Sequence, residues 1–263
     1  LFPIYKNTVK KLKQSKCKEL DPIFILGLPR SGSTLIDQII SSHSMVDGTQ
    51  ELPNIMNLTR EIEALGKGKE AYPQLLTKLS EIQISELGQK YINQTKWSRG
   101  QAPYFIDKMP NNFLHIGFIK TILPNAKIID TRRGAMDTCF SCFKQFFAKG
   151  QHFTYDLEDL GLFYNDYINI MNHWHDIYPE QIYTVKYANM ISDTENEIIK
   201  LLEYCNLPFE NQCLEFYKSK RPVKTPSAEQ VRQPIYKSGL DYYKNFENDL
   251  IPLEKLFNEH IEK

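Results

Sequence analysis

A short apolar run, Ile23-Phe24-Ile25-Leu26, ends in Gly27-Leu28-Pro29-Arg30-Ser31-Gly32-Ser33-Thr34. Leu35, Ile36, Ile39 and Ile40 then recur with helical spacing. The run reads as a buried strand, and the glycines and proline as a tight loop that delivers the chain into a helix. Further strands are expected over Tyr104–Asp107, Lys127–Thr131 and Gln181–Lys186. Helical periods fall between them at Asn111–Leu123, Ala135–Phe147 and Leu157–Tyr178. Strands alternating with helices predict an α/β fold, a P-loop-like parallel sheet flanked by helices on both faces. The wide gap between residues 31 and 100 reads as a helical excursion around a site. Residues 219–240, with three prolines and no clear period, read as a long ordered loop, and loops of that length usually carry function.

Charge narrows the partners. In 263 residues, 32 basic side chains meet 32 acidic ones, which argues against a surface built to coat nucleic acid or an anionic membrane. No apolar run approaches the roughly 18 residues of a membrane helix. Residues 1–20 are expected to be a helical lead-in, the end of an upstream unit, and residues 21–263 one domain. Five cysteines, odd in number and sparse, suggest a reducing, cytoplasmic setting. Cys139 and Cys142 are spaced as a CxxC but lie in a helical pattern, where they are expected to pack rather than react.

The loop after the first strand matches the spacing of a nucleotide P-loop, except that Ser33 stands where the lysine belongs. Glycines let the backbone approach an anion, and a helix start offers unpaired N–H groups and a positive dipole end. The lysine that reaches the β- and γ-phosphates of a triphosphate is missing. Asp130 is the nearest candidate for a magnesium-binding acid. A second stretch, Arg132-Arg133-Gly134 with Ser141 eight residues beyond Arg133, follows the strand at Lys127–Thr131. Arginine's planar fork and a serine two helical turns on can grip a second phosphate. Both stretches sit at carboxyl ends of strands, where open α/β sheets bind ligands.

GLPRSGSTL followed by DTRRGAMDTCFS resembles the sulfotransferase superfamily, and most of all the protein-tyrosine sulfotransferases and their bacterial relatives associated with tetratricopeptide repeats. The similarity runs from about Asp21 to Phe257. It implies a donor, 3′-phosphoadenosine 5′-phosphosulfate (PAPS), with 3′-phosphoadenosine 5′-phosphate (PAP) as product and no required metal. Arg30, Ser31, Gly32, Ser33 and Thr34 match the loop that grips the 5′-phosphosulfate, Arg133 and Ser141 the 3′-phosphate grip, and Tyr187 a tyrosine near the adenosine. Glu51 matches the general base and Lys108 the lysine near the migrating sulfuryl group, with Arg30 as a third catalytic residue. The segment from Ser227 to Pro234 resembles a loop that covers the cofactor. Gln233 stands where the family commonly has a lysine, so the cationic role shifts to Arg232 or Lys237.

The resemblance implies sulfuryl transfer to an acceptor hydroxyl, with protein or peptide tyrosine favoured over a carbohydrate hydroxyl or a small phenol. An altered P-loop kinase and a nucleotide-binding module without catalysis are the alternatives from other classes. His43, downstream of the loop, is a rival base, but its place near the end of the first helix favours a structural role.

Overall fold

The computed structural model describes residues 9, 11–17, 22–68, 70–148, 150–235 and 240–257. Five parallel strands form one sheet: β1 (Pro22–Gly27), β2 (Val46–Asp47), β3 (Tyr104–Lys108), β4 (Lys127–Arg132) and β5 (Ile182–Lys186), in the order β2-β3-β1-β4-β5. The helices are α1 (Ser33–Ser41), α2 (Asn54–Leu65), α3 (Glu81–Thr95), α4 (Ile116–Ile122), α5 (Ala135–Phe143), α6 (Leu157–Ile177), α7 (Tyr187–Ser192), α8 (Thr194–Tyr204) and α9 (Glu247–Glu254).

Alternation along the strands explains the two layers. Phe24 and Leu26 of β1, Phe105 of β3 and Ile128 of β4 face one core, which α2 through α6 cover. Ile23 and Ile25, Ile106 and Ile129 face the other, under α1 and α8. Successive strand side chains point to opposite faces, so a sheet covered on both sides needs apolar residues at every position. β1 is buried throughout, and each such Ile or Phe contributes roughly 1.5–3 kcal/mol. Two caps fix helix starts on this scaffold. Ser80 and Gln83 form a reciprocal capping box at α3, and Asp156 accepts from the Glu158 and Asp159 amides at α6.

The expected strands are all present, within one or two residues at their ends. β2 was not expected. The predicted helix over Asn111–Leu123 begins as a 3-10 turn at Pro110–His115 and becomes α-helical only at Ile116. The predicted helix over Ala135–Phe147 ends at Phe143. In the 31–100 region, α2 and α3 are the expected helical excursion. The lead-in helix falls mostly outside the described residues, and the described stretch 12–17 is irregular, its Ser15 amide donating to the Thr121 carbonyl. Among the described residues, no helix is long and apolar enough to cross a membrane.

Chain order supplies the crevice. From β1 the chain leaves toward β2 and β3, then crosses back past β1 to β4. The segments following β1 and β4 therefore flank one gap at the carboxyl edge of the sheet, the place where such folds bind ligands.

Candidate active site

The loop after β1 is shaped by three residues with positive φ: Gly27 (137°), Arg30 (67°) and Gly32 (103°). A Cβ at Gly32 would also lie 3.0 Å from Tyr187 Cδ2, a contact tight enough that the ring would have to shift. The chain enters α1 without any side-chain cap, so neither Ser33 nor Thr34 serves as one. Its first N–H groups stay open to an anion. Ser31, expected in the anion loop, turns its hydroxyl inward to Thr131 Oγ1 at 2.7 Å. Thr131 in turn donates to the Leu26 carbonyl at 3.0 Å, pinning the loop to β4. Ser33 is buried at the helix start.

A cleft opens beside this loop, lined by Arg30, Gly32, Thr34, Leu35, Arg133, Tyr187, Phe216, Ser227, Gln230, Val231, Gln233 and Ile235. It unites both predicted grips with the late loop. Arg30 crosses it, donating from Nε to Ser141 Oγ (3.1 Å), from Nη1 to Ser227 Oγ (2.6 Å) and from Nη2 to Gln230 Oε1 (3.2 Å). Thr34 Oγ1 lies 3.1 Å from Thr225 Oγ1. Arg133 sits 5.3 Å above the Tyr187 ring and 3.3 Å from Asp137. The two arginines after β4 thus separate. Arg133 faces the cleft, whereas Arg132 donates to Asp130 Oδ2 at 2.6 Å. Asp130, the candidate magnesium ligand, is wholly buried and also accepts from the Tyr167 hydroxyl.

Glu51 and Lys108 form an ion pair at the carboxyl end of β3. The lysine side chain is 5% exposed and the glutamate side chain 45% exposed. Lys108 pairs in register with Ile25, so it lies one strand from the anion loop. Thr49 holds the Glu51 segment, donating to the Ile106 carbonyl at 2.6 Å. The neighbouring Asp107 points elsewhere, accepting from the Tyr91 hydroxyl at 2.6 Å.

Of the two basic candidates of the late loop, Arg232 is not among the residues that line the cleft. Arg232 donates to the backbone carbonyls of Ser219 and Arg221 and holds the late loop together. Lys237 lies outside the described residues. Gln233 lines the cleft itself. His43 is buried, with Nε2 2.9 Å from the Pro208 carbonyl and Nδ1 accepting from the Met45 amide, so both ring nitrogens are engaged structurally. Cys139 and Cys142 are buried in the core, and burial raises both thiols, Cys142 to about 12.

Sequence reasoning missed Arg221. It ion-pairs with buried Asp37 of α1 and donates from Nη1 to the Thr49 carbonyl at 2.7 Å, two residues before Glu51. The readable signal was on the other side, where Asp37 and Gln38 interrupt an otherwise apolar helix.

The sulfotransferase family model matches residues 22–211, and the chain belongs to that family. Over 98% of its length it is 38% identical to an uncharacterised protein of Aquifex aeolicus, and it spans only 35% of that protein. It is 24% identical, over 74% of its length and 69% of the relative's, to a Caenorhabditis briggsae protein carrying the provisional name protein-tyrosine sulfotransferase. The fold is that of solved sulfotransferases. The sulfotransferase domain of the Synechococcus PCC 7002 olefin synthase superposes with a TM-score of 0.54 at 15% identity, covering 90% of this chain and 98% of that one. Mouse sulfotransferase SULT7A1 complexed with PAP gives 0.53 at 12% identity, covering 97% and 89%.

Proposed function

We propose that this chain transfers the sulfuryl group of PAPS to an acceptor hydroxyl, with the phenol of a peptide or protein tyrosine as the favoured acceptor. The observation that carries the reading is the convergence, on one cleft, of an uncapped helix start and the Arg133–Tyr187 wall, with Ser141 tied to it through Arg30. Two anion grips with an aromatic face between them fit a nucleotide bearing phosphate at two ends. The missing P-loop lysine and the engagement of Asp130 by Arg132 and Tyr167 both weigh against triphosphate chemistry.

In the proposed step the acceptor oxygen attacks sulfur, and its proton passes to Glu51. The new O–S bond forms as the bond from sulfur to the bridging oxygen of the 5′-phosphate breaks, and PAP leaves with that electron pair. A phenol with a pKa near 10 is mostly protonated at neutral pH, so a positioned carboxylate helps. Lys108 and Arg30 would balance the charge that builds on the leaving phosphate, the largest share of the barrier reduction expected in transfers of this type. Tyrosine is favoured because Glu51 matches the base of the tyrosine enzymes and because of the Caenorhabditis briggsae relative.

Thermal unfolding with PAP, set beside ATP with and without magnesium, tests the donor. PAP at 100 times its dissociation constant should add roughly 2.7 kcal/mol and raise the melting temperature without metal. Stabilisation by magnesium–ATP alone would overturn the reading. Transfer of labelled sulfate from PAPS to a tyrosine peptide, absent from its phenylalanine counterpart, tests the acceptor.

A further inference from the structure

We propose that Arg221 is a positioning residue for sulfuryl transfer, fixing the segment that carries Glu51 against α1 and the start of the late loop. The inference rests on the sulfotransferase reading and deepens it.

Glu51 lies on an irregular stretch between β2 and α2, so no ladder or helix of its own sets its place. Lys108 meets its carboxylate, but a flexible ammonium supplies charge more than orientation. Two contacts hold the backbone just before it. The Thr49 hydroxyl donates to the Ile106 carbonyl at 2.6 Å. Arg221 Nη1 donates to the Thr49 carbonyl at 2.7 Å. The guanidinium also lies flat against Gly48, where a Cβ would come within 2.3 Å of Nη1 and 2.6 Å of Cζ. Only a glycine at that position admits so close an approach.

Arg221 can serve as a fixed post because its other donors are engaged. Nη2 ion-pairs with Asp37 of α1, and the two side chains are only 20% and 5% exposed. Gln38, with its amide turned to satisfy both ends, accepts from Nη2 at 2.8 Å and from Nε at 3.3 Å. The Arg221 carbonyl accepts from Arg232 farther along the late loop. Arginine's planar fork makes such contacts in one rigid arrangement. α1 starts at the anion loop, with Ser33 and Thr34 in its first turn. One guanidinium therefore clamps the helix of the anion cradle to the segment of the proposed base. In a transfer that depends on alignment, a displacement of about 1 Å at such a group can cost roughly 10²-fold in rate.

A purely structural role competes, since losing Arg221 strands the buried Asp37 and destabilises the fold. Two variants separate the roles. Arg221→Gln ends in an amide that falls short of the Nη1 position, and combining it with Asp37→Asn leaves no stranded charge. Transfer of labelled sulfate from PAPS to a tyrosine peptide gives kcat, and calorimetric titration gives PAP affinity. Crystal structures of the parent and the double variant locate Glu51. The expected result is a kcat lower by roughly 10- to 10²-fold in both variants, PAP affinity close to the parent's, and a displaced Glu51. Recovery of kcat in the double variant would overturn the assignment, as would equal losses of kcat and PAP affinity, or Glu51 unmoved between the two structures. A parent that does not bind PAP would instead overturn the donor reading. One that binds PAP but sulfates no tyrosine peptide would overturn the acceptor reading, and the two structures would still decide whether Arg221 places Glu51.

Discussion

Glu51 and Lys108 lie 57 residues apart in sequence, and their encounter explains why a lysine can sit almost wholly buried at a strand end. An ammonium taken out of water is costly unless paired and hydrogen-bonded. The half-exposed glutamate meets that need and still presents a face to an incoming hydroxyl. Glu51→Gln keeps the hydrogen-bonding shape and removes the proposed base. Turnover should fall roughly 10²-fold or more while PAP affinity stays close to the parent's, read from initial rates beside titration. Unchanged turnover would remove Glu51 from the mechanism. The family resemblance singled out both residues, and the structure brings their side chains together. Arg221 was not singled out, because its partner is set by folding across a long separation, 184 residues to Asp37, and no local pattern encodes such a meeting.

The late loop, residues 219–235, shows how an element without regular period is nonetheless fixed. Arg221 reaches Asp37 of α1 and the Thr49 carbonyl, passing so close to Gly48 that a Cβ there would lie 2.3 Å from Nη1. Arg232 clasps the carbonyls of Ser219 and of Arg221 itself, and farther along Ser227 and Gln230 accept from Arg30. One loop thus joins the anion cradle to the segment that carries Glu51. Burial raises the Asp37 carboxyl, and the charges of Arg221 and then Lys108 oppose that rise. Arg221→Gln strands a buried carboxylate and should cost roughly 3 kcal/mol. Adding Asp37→Asn to that variant should recover part of the loss. Urea unfolding of the four proteins measures the coupling, and strictly additive losses would show that the pair is not coupled. The four longer strands could be read in advance because each is an apolar run bounded by turn residues. Two-residue β2 is too short for any period. α5 stops before Phe146, which is 78% exposed and adds no core packing that would extend the helix.

Covering the sheet on both faces has a consequence for the whole molecule, because polar groups at strand ends are sealed in with the apolar ones. Asp107 is fully buried, and that burial pushes its carboxyl up to about 7, with the Tyr91 hydrogen bond and the Lys108 charge opposing the rise. In the unfolded chain an Asp titrates near 3.9. Between those values the folded state holds more protons, so the contribution of Asp107 to stability is full below about pH 4 and is lost as pH rises toward about 7. His115, half-buried against Tyr72, acts in the opposite sense. Desolvation lowers it to about 4, so its contribution is lost as pH falls from about 6.5 to about 4. In the parent the two slopes largely cancel over that range. Asp107→Asn, with its amide oxygen still accepting from Tyr91, removes one slope and exposes the other. Its stability relative to the parent should therefore climb across pH 4 to 7, by on the order of 1 kcal/mol per unit. Urea unfolding at pH 4.5 and pH 7 reads this directly. A stability difference that is the same at both values would mean that Asp107 stays ionised in the folded protein throughout, its charge met by Lys108 in spite of the burial.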